Sequence, residues 1–232
     1  MAVSLVLVVA AALLYLGARE TPVFAVRTID VEGVRPSVAR RVEMALRPLE
    51  GKSLLKVRSG EVERLATALP SIASVTYDRA FPNTLRVRVE EEQPVAVVRR
   101  GIEAWLVSRR GRVIKRIAQR THRVLPRIWL RQPVAISPGG TLSAGAGAEE
   151  VAMLDALEGA RLSHRVGTVR NESGQWIYVV RGGLQVRVGT RSELALKLAI
   201  ARRILERTAV VGYLDVSVPE RPVAGQEAQV SG

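Results

Sequence analysis

Several kinds of side chain are absent from this 232-residue chain or scarce in it, and each shortage excludes some chemistry. There is no cysteine, which excludes disulfide bonds, thiol catalysis and cysteine-ligated metal. Aromatic residues make up only 4% of the chain, so the hydrophobic core must consist mainly of valine, leucine, isoleucine and alanine. The two histidines, His122 and His164, lie far apart and have no acidic partner at metal-ligand spacing. We therefore predict no metal site.

Sequence patterns of catalysis and nucleotide binding are also missing. The chain has no Gly-x-Ser-x-Gly sequence of the kind that carries a nucleophilic serine. Residues 51–53 (Gly-Lys-Ser) look like the end of a phosphate-binding loop, but Leu46 replaces the earlier glycine that such a loop requires. A turn between two helices explains this segment better. We expect neither enzymatic activity nor a cofactor.

The positive charge of the chain is large and is carried almost entirely by arginine. The formal net charge is +13, and only Lys52, Lys56, Lys115 and Lys197 are lysines. The arginines are scattered through the predicted strands and turns, and few aromatic side chains accompany them to stack on bases. This pattern favours attraction to anionic lipid or to an acidic partner over nucleic-acid binding.

One long apolar stretch is present, and it lies at the N-terminus. Residues 2–18 contain no charged side chain and would form a helix of roughly 26 Å, close to the thickness of a bilayer core. We predict a single transmembrane anchor over residues 1–18. The alternative is a cleaved signal peptide. Residues 16–18 match a cleavage site poorly, and cleavage after residues 23–25 would cut into the first predicted strand.

No lysine or arginine precedes the apolar stretch, although cytoplasmic flanks usually carry them. Our hypothesis is that the start codon used here lies downstream of the native one, and that a basic tail is missing. N-terminal sequencing of a native protein that begins at Met1 would contradict this hypothesis.

Residues 24–92 predict a small unit with the element order β-α-α-β-β. A strand over 25–33 precedes a helix that begins at Pro36, and a second helix begins near Ser59 as its N-cap. Strands over 74–79 and 84–91 close the unit, and alternation in the latter predicts one buried face. We expect Phe24 and Phe81 to pack in the core.

Residues after 93 predict a second unit of mostly short strands, which makes the chain α+β. A segment rich in glycine, serine and alanine over 137–147 predicts a loop, and a capping box at residues 190–193 predicts the start of the last helix. A final strand is predicted over 212–219 and disorder from 226 onward. The remaining predictions are strands over 95–98, 104–107, 112–115, 175–180 and 184–188, and a helix over 149–157.

Five collinear patterns together resemble the bacterial cell-division family FtsQ/DivIB. The first follows the apolar stretch, and the set extends over almost the whole chain. The patterns are Phe24-x-Val-x-x-Ile-x-Val-x-Gly33, Phe81-Pro-x-Thr-Leu-x-Val-x-Val-x-Glu-x-x-Pro-Val-Ala96, Trp105-Leu-Val-x-x-x-Gly-x-Val113, Val188-Gly189 and Tyr213-Leu-Asp215. The resemblance implies a transmembrane anchor (1–18), a POTRA domain (24–92), a β-domain with an edge C-terminal strand (93–225) and a disordered tail (226–232).

The resemblance also implies a function. Proteins of this family are non-enzymatic, single-pass scaffolds of the division septum that recruit or regulate the partners of cell-wall synthesis. Their N-terminus is cytoplasmic and the bulk of the chain is extracytoplasmic. The last strand and its continuation bind FtsB/DivIC and FtsL by strand addition, and septal synthase components are further possible partners. Carried onto this chain, the partner-binding residues are Ser217, Val218, Pro219, Glu220 and Val223.

Two features depart from the family pattern, and two other functions remain open. Ser108 stands where the family commonly has aspartate, so we assign it no role, and the usual cytoplasmic tail is missing. A POTRA-bearing component of export or envelope assembly is one alternative, although it would require a long barrel-forming half. A secreted basic protein that binds polyanions is the other, and it would show a steep salt dependence of binding.

Overall fold

The computed structural model describes residues 22–130, 134–163 and 165–226. The chain divides into two compact units, with the boundary between Glu92 and Gln93. The predicted anchor lies outside the described residues, as does the predicted tail beyond Gln226. Across the described ranges, no helix combines the length and the apolar character that crossing a membrane requires.

The first unit has the predicted element order. The main elements are β1 (Thr28–Glu32), α1 (Pro36–Leu46), α2 (Ser59–Thr67), β2 (Ile72–Ala80) and β3 (Thr84–Glu91). The three strands form one sheet in the order β1-β3-β2, with β1 parallel and β2 antiparallel to the central β3. Three short 3₁₀ turns cover Pro22–Phe24, Arg47–Leu49 and Leu54–Lys56.

The two helices begin for different local reasons. Pro36 occupies the first turn of α1, where its fixed φ suits a helix and its missing N–H needs no partner. Ser59 is already inside α2, and Arg58 holds the cap position without a side-chain hydrogen bond. The predicted role of Ser59 as an N-cap is therefore wrong.

The core of the first unit lies between the helices and one face of the sheet. Leu85, Val87 and Val89 of β3 are buried, as their alternation predicts. The buried residues contributed by the two helices are Val38, Ala39, Val42, Leu46, Val62 and Ala66. The core thus consists largely of aliphatic side chains.

One phenylalanine of the first unit departs from the predicted core position. Phe81 is 57% exposed, and its ring meets the half-buried Phe24 edge-on, with ring centroids 5.7 Å apart. The ladder between β2 and β3 ends at the pair Ala80 and Thr84. Phe81 lies in the turn beyond that pair, past the end of the sheet that covers the core. The prediction that Phe81 packs in the core is therefore wrong.

The second unit is built around a mixed nine-stranded sheet. Its strands are β4 (Pro94–Arg100), β5 (Glu103–Ser108), β6 (Val113–Ile117), β7 (Arg127–Trp129), β8 (Val166–Glu172), β9 (Gln175–Val180), β10 (Gln185–Gly189), β11 (Tyr213–Asp215) and β12 (Val223–Gly225). The strand order is β12-β11-β10-β9-β8-β7-β4-β5-β6. The helices are α3 (Ala148–Gly159) and α4 (Leu194–Arg207). The α+β class predicted from the sequence is confirmed.

Both helices of the second unit pack against one face of this sheet. Met153 and Leu157 of α3 and Leu198 of α4 are buried in a single core with strand residues such as Trp176 and Tyr178. The hydroxyl of Tyr178 donates a 2.8 Å hydrogen bond to the carbonyl of Met153. This bond ties the middle of the sheet to α3.

The start of α4 differs from the predicted capping box. Glu193 precedes the helix in the left-handed region, with φ of 53°, and makes no side-chain cap bond. The hydroxyls of Thr190 and Ser192 instead hydrogen-bond each other at 2.8 Å. The ammonium of the buried Lys197 donates to the carbonyl of Thr190 at 3.2 Å. The predicted capping box is therefore wrong, and other bonds among residues 190–197 take its place.

The last predicted strand is shorter than expected and is followed by another. β11 ends at Asp215, where the sequence predicts a strand that continues to Pro219. The chain then turns and returns as β12, antiparallel to β11. The sequence patterns do not predict β7, β8 or β12 as strands. The edge C-terminal strand does exist, but it is β12.

Candidate functional site: the C-terminal sheet edge

β12 forms one edge of the nine-stranded sheet, and β6 forms the other. The three residues of β12 pair with β11 in the register Tyr213 with Gly225, Leu214 with Ala224, and Asp215 with Val223. β12 is the first strand in the sheet order, so one side of its backbone has no strand neighbour among the described residues. A strand edge of this kind is a template for pairing with another chain.

The bonds between β10 and β11 show which backbone groups of β11 face inward. Gln185 donates its N–H to the carbonyl of Gly212 at 3.0 Å, and Val216 donates to the carbonyl of Arg187 at 2.8 Å. Successive residues of a strand direct their backbone groups to opposite sides. Even-numbered residues of β11 therefore face β10, and odd-numbered residues face β12.

It follows that alternate residues of β12 face away from the sheet. Tyr213 and Asp215 direct their N–H and C=O groups toward β12, where they oppose Gly225 and Val223. The N–H and C=O of Ala224 therefore point outward. Pro222 stands on the same outward side and has no N–H, which is where proline is tolerated in an edge strand. The carbonyl of Pro222 and both polar groups of Ala224 are available to an incoming strand.

Four of the five predicted partner-binding residues lie in the turn that joins β11 to β12, and the fifth lies in β12 itself. The Asp215 carboxylate accepts a 2.8 Å hydrogen bond from the N–H of Ser217, and Arg221 donates its N–H to the carbonyl of Val218 at 3.1 Å. Val218 and Val223 are each 52% exposed. The residues in the turn are Ser217, Val218, Pro219 and Glu220, and the residue in β12 is Val223. Only Val223 therefore belongs to the edge strand, and Ser217 lies next to Gly189 of β10.

Two glycines allow the close approaches that shape this edge. Gly189 has φ of +65°, and a Cβ at this position would lie 2.9 Å from the Cβ of Ser217. Gly212 has φ of +88°, and a Cβ there would lie 2.4 Å from the carbonyl oxygen of Gly225. Both positions require glycine for conformation and for space. The sequence pattern included Gly189 as a signature, but its contact with the turn becomes visible only in the fold.

Comparison with known proteins identifies both units. Residues 24–92 match the family model described as POTRA domain, FtsQ-type. Residues 96–217, more than half of the chain, match the model described as Cell division protein FtsQ/DivIB, C-terminal. The chain belongs to the FtsQ/DivIB family. It is therefore a cell-division protein, and membership implies interactions with other proteins of the division machinery.

Two curated relatives carry the name Cell division protein FtsQ. The protein of Syntrophotalea carbinolica is 26% identical over 216 residues, which cover 88% of this chain and 75% of that protein. The protein of Corynebacterium glutamicum is 28% identical over 109 residues, which cover 47% of this chain and 49% of that protein. The first similarity extends over most of both chains.

Ser108, to which the sequence assigns no role, has a structural role in this FtsQ/DivIB chain. It is fully buried at the end of β5. Its hydroxyl accepts a hydrogen bond from the N–H of Arg112 at 3.3 Å, and its carbonyl accepts one from Gly111 at 2.9 Å. Ser108 thus closes the turn between β5 and β6. The glycine three residues later, which has φ of +74°, is the sequence signal for that turn.

Proposed function

We propose that this protein is a membrane-anchored, non-enzymatic scaffold of the division septum that holds its partners by strand addition along β12. Its N-terminus is cytoplasmic, and both folded units lie outside the cytoplasm. The observation that carries the proposal is the outward direction of the Ala224 N–H and C=O at the edge of the sheet. Partners held there are recruited to septal cell-wall synthesis or regulated in it.

The proposed partners are divisome membrane proteins of the FtsB/DivIC and FtsL type. Backbone hydrogen bonds along β12 contribute affinity but little selectivity, because they form with any extended segment. Side chains beside the edge therefore determine which partner binds. The half-exposed Val218 and Val223 offer apolar contact, and Glu220 adds a charge. Septal synthase components are further proposed partners.

The test removes the outward donor without touching the inward pairs. Ala224→Pro deletes the N–H that points at the partner, whereas the N–H groups of Val223 and Gly225, which face β11, remain. We expect the Kd for the soluble domains of the FtsB/DivIC–FtsL pair to rise by about tenfold or more, which corresponds to about 1.4 kcal/mol. Binding is measured by calorimetry with the full chain held in nanodiscs.

The matched control is Pro222→Ala, which adds a donor on the same outward side. We expect this variant to bind at least as tightly as the wild type. Circular dichroism and thermal unfolding establish that both variants are folded. Unchanged affinity of a folded Ala224→Pro variant would place the partner site elsewhere and would overturn strand addition at β12.

A further inference from the structure

The first unit carries an exposed apolar and basic surface at one end, which we call the Phe81 tip. It consists of residues 23–28, 50–58 and 79–84. Backbone hydrogen bonds join the three segments: Val26 donates to the carbonyl of Lys52 and Arg27 to the carbonyl of Asn83, each at 2.9 Å. The tip is therefore a connected part of the fold.

Two apolar side chains of the tip are exposed. Val23 and Phe81 are each 57% exposed, and the Phe81 ring meets the ring of Phe24 at 88°. The chain has only two phenylalanines, and both lie here. Amphipathic surfaces that lie at a bilayer bury such side chains at the boundary between headgroups and acyl chains. The large, rigid rings of this aromatic pair suit the boundary between headgroups and acyl chains.

The charges around these side chains are mostly positive. The tip segments contain a single acid, Glu50. One cation, Lys52, is paired across to Glu61 of α2 at 2.8 Å. The part-buried Arg79 donates to the carbonyl of Val57 at 2.9 Å. Arg27 and Arg58 are exposed and carry positive charge at the surface. The cations of the tip are Arg27, Lys52, Lys56, Arg58 and Arg79. Basic residues near a bilayer are attracted to anionic headgroups.

The position of the tip in the chain brings it close to the predicted anchor. Val23 follows Ala18, the last residue of the predicted anchor, by only five residues. Five fully extended residues span at most about 18 Å. Because Phe81 contacts Phe24, its distance from the end of the predicted anchor has a similar upper limit. This step rests on the proposed function, because it requires residues 1–18 to span the membrane.

We propose that the Phe81 tip docks on the bilayer into which the chain is anchored, with Val23 and Phe81 in the headgroup region and the basic residues against anionic lipid. The occupant of this surface is the lipid itself. Docking orients the first unit on the membrane and adds a second attachment to the anchor.

The absence of native cysteine makes a direct test possible. The full chain is reconstituted in phosphatidylcholine vesicles with and without phosphatidylglycerol, and single spin labels are attached at Val23→Cys, Arg35→Cys or Leu13→Cys. Collision with lipid-soluble oxygen is compared with collision with a water-soluble nickel complex. Arg35 is the matched control, because its side chain is 78% exposed and it follows the opposite end of β1.

We expect the label at Val23→Cys to favour oxygen over nickel several-fold more than the label at Arg35→Cys does, and the difference to grow with phosphatidylglycerol. Adding Phe81→Glu to Val23→Cys should remove most of this difference. The docking would be overturned if the label at Leu13→Cys collides mainly with oxygen while the labels at Val23→Cys and Arg35→Cys are equally accessible to nickel. That result would leave the anchor intact. An aqueous label at Leu13→Cys would instead overturn the anchor on which the docking depends.

Discussion

Tyr178 is a buried residue of the second unit with a polar hydroxyl group. Its side chain is buried, and its hydroxyl donates to the carbonyl of Met153 at 2.8 Å. Burial raises the pKa of Tyr178 above its ordinary range, and the nearby Arg191 only partly opposes this rise. The neutral phenol is therefore the form that the fold stabilises.

The pH dependence of stability in a Tyr178→Phe variant tests whether the fold keeps this phenol neutral. We expect Tyr178→Phe to lower the free energy of unfolding by about 1 kcal/mol near pH 7, because one hydrogen bond is lost. Above pH ~10, the unfolded tyrosine ionises while the folded one stays neutral, so the wild type loses about 1.4 kcal/mol per pH unit at this site. The phenylalanine variant has no such loss, so the gap between the two proteins should close.

Urea unfolding of both proteins between pH 7 and pH 11 measures this gap. The comparison cancels the titration of groups that both proteins share. A gap of constant size over the whole range would show that Tyr178 does not ionise differently in the folded and unfolded chains.

At the scale of the element, Gly212 decides whether β12 can lie beside β11. A Cβ at this position would be 2.4 Å from the Gly225 carbonyl oxygen and 2.7 Å from the Cα of Gln226. We expect Gly212→Ala to displace β12, with loss of amide protection at Val223 and Gly225 and a fall in stability of about 1 to 3 kcal/mol. Hydrogen exchange read by mass spectrometry or NMR measures the displacement.

Gly182 offers a matched control for the backbone strain alone. It also has a positive φ, of +102°, but nothing lies within 4 Å of a Cβ built there. Gly182→Ala should lower the free energy of unfolding by about 1 kcal/mol without loss of amide protection in β12. Equal loosening of β12 in the two variants would contradict the steric explanation.

At the scale of the whole molecule, each unit has its own hydrophobic core. One core contains buried residues from Val26 to Val89, and the main core of the other contains residues from Ala96 to Val216. Because no buried residue is shared between these two sets, we expect each unit to open as its own cooperative region.

Leu46→Ala tests this independence. Leu46 is fully buried in the first core, and its truncation should cost about 2 to 5 kcal/mol. Amide exchange should accelerate through residues 22–92 and remain unchanged in residues 93–226. Met44 lies on the same helix and is already 60% exposed, so Met44→Ala should change amide exchange in neither unit. Equal acceleration in both units after Leu46→Ala would show that they unfold together.

The sequence was most informative where local signals and burial agree. The alternation of Leu85, Val87 and Val89 predicts β3 because one face of that strand is buried. Pro36 marks the start of α1 because its fixed φ suits a first helical turn. These signals are carried by adjacent residues, so the family resemblance and the α+β class could be read from the chain.

Other features of the fold differ from what the sequence patterns predict. β7 has only three residues and is a strand because β4 pairs with it in parallel. The predicted strand over 212–219 stops at Asp215, because Ser217 bonds back to that carboxylate and the chain turns. Phe81 is exposed because its turn lies beyond the sheet. The pairing of β7 with β4 joins residues that are distant in sequence, whereas the bond between Ser217 and Asp215 is local.

By itself, the sequence determined the two-unit α+β character, the aliphatic composition of both cores and membership in the FtsQ/DivIB family, because periodic burial and turn residues are local properties. Only the tertiary structure decided which strand forms the edge of the larger sheet and which backbone groups point outward from it. The physical reason is that an edge exists only relative to the neighbours that are paired, and β12 acquires its outward Ala224 through its register with β11.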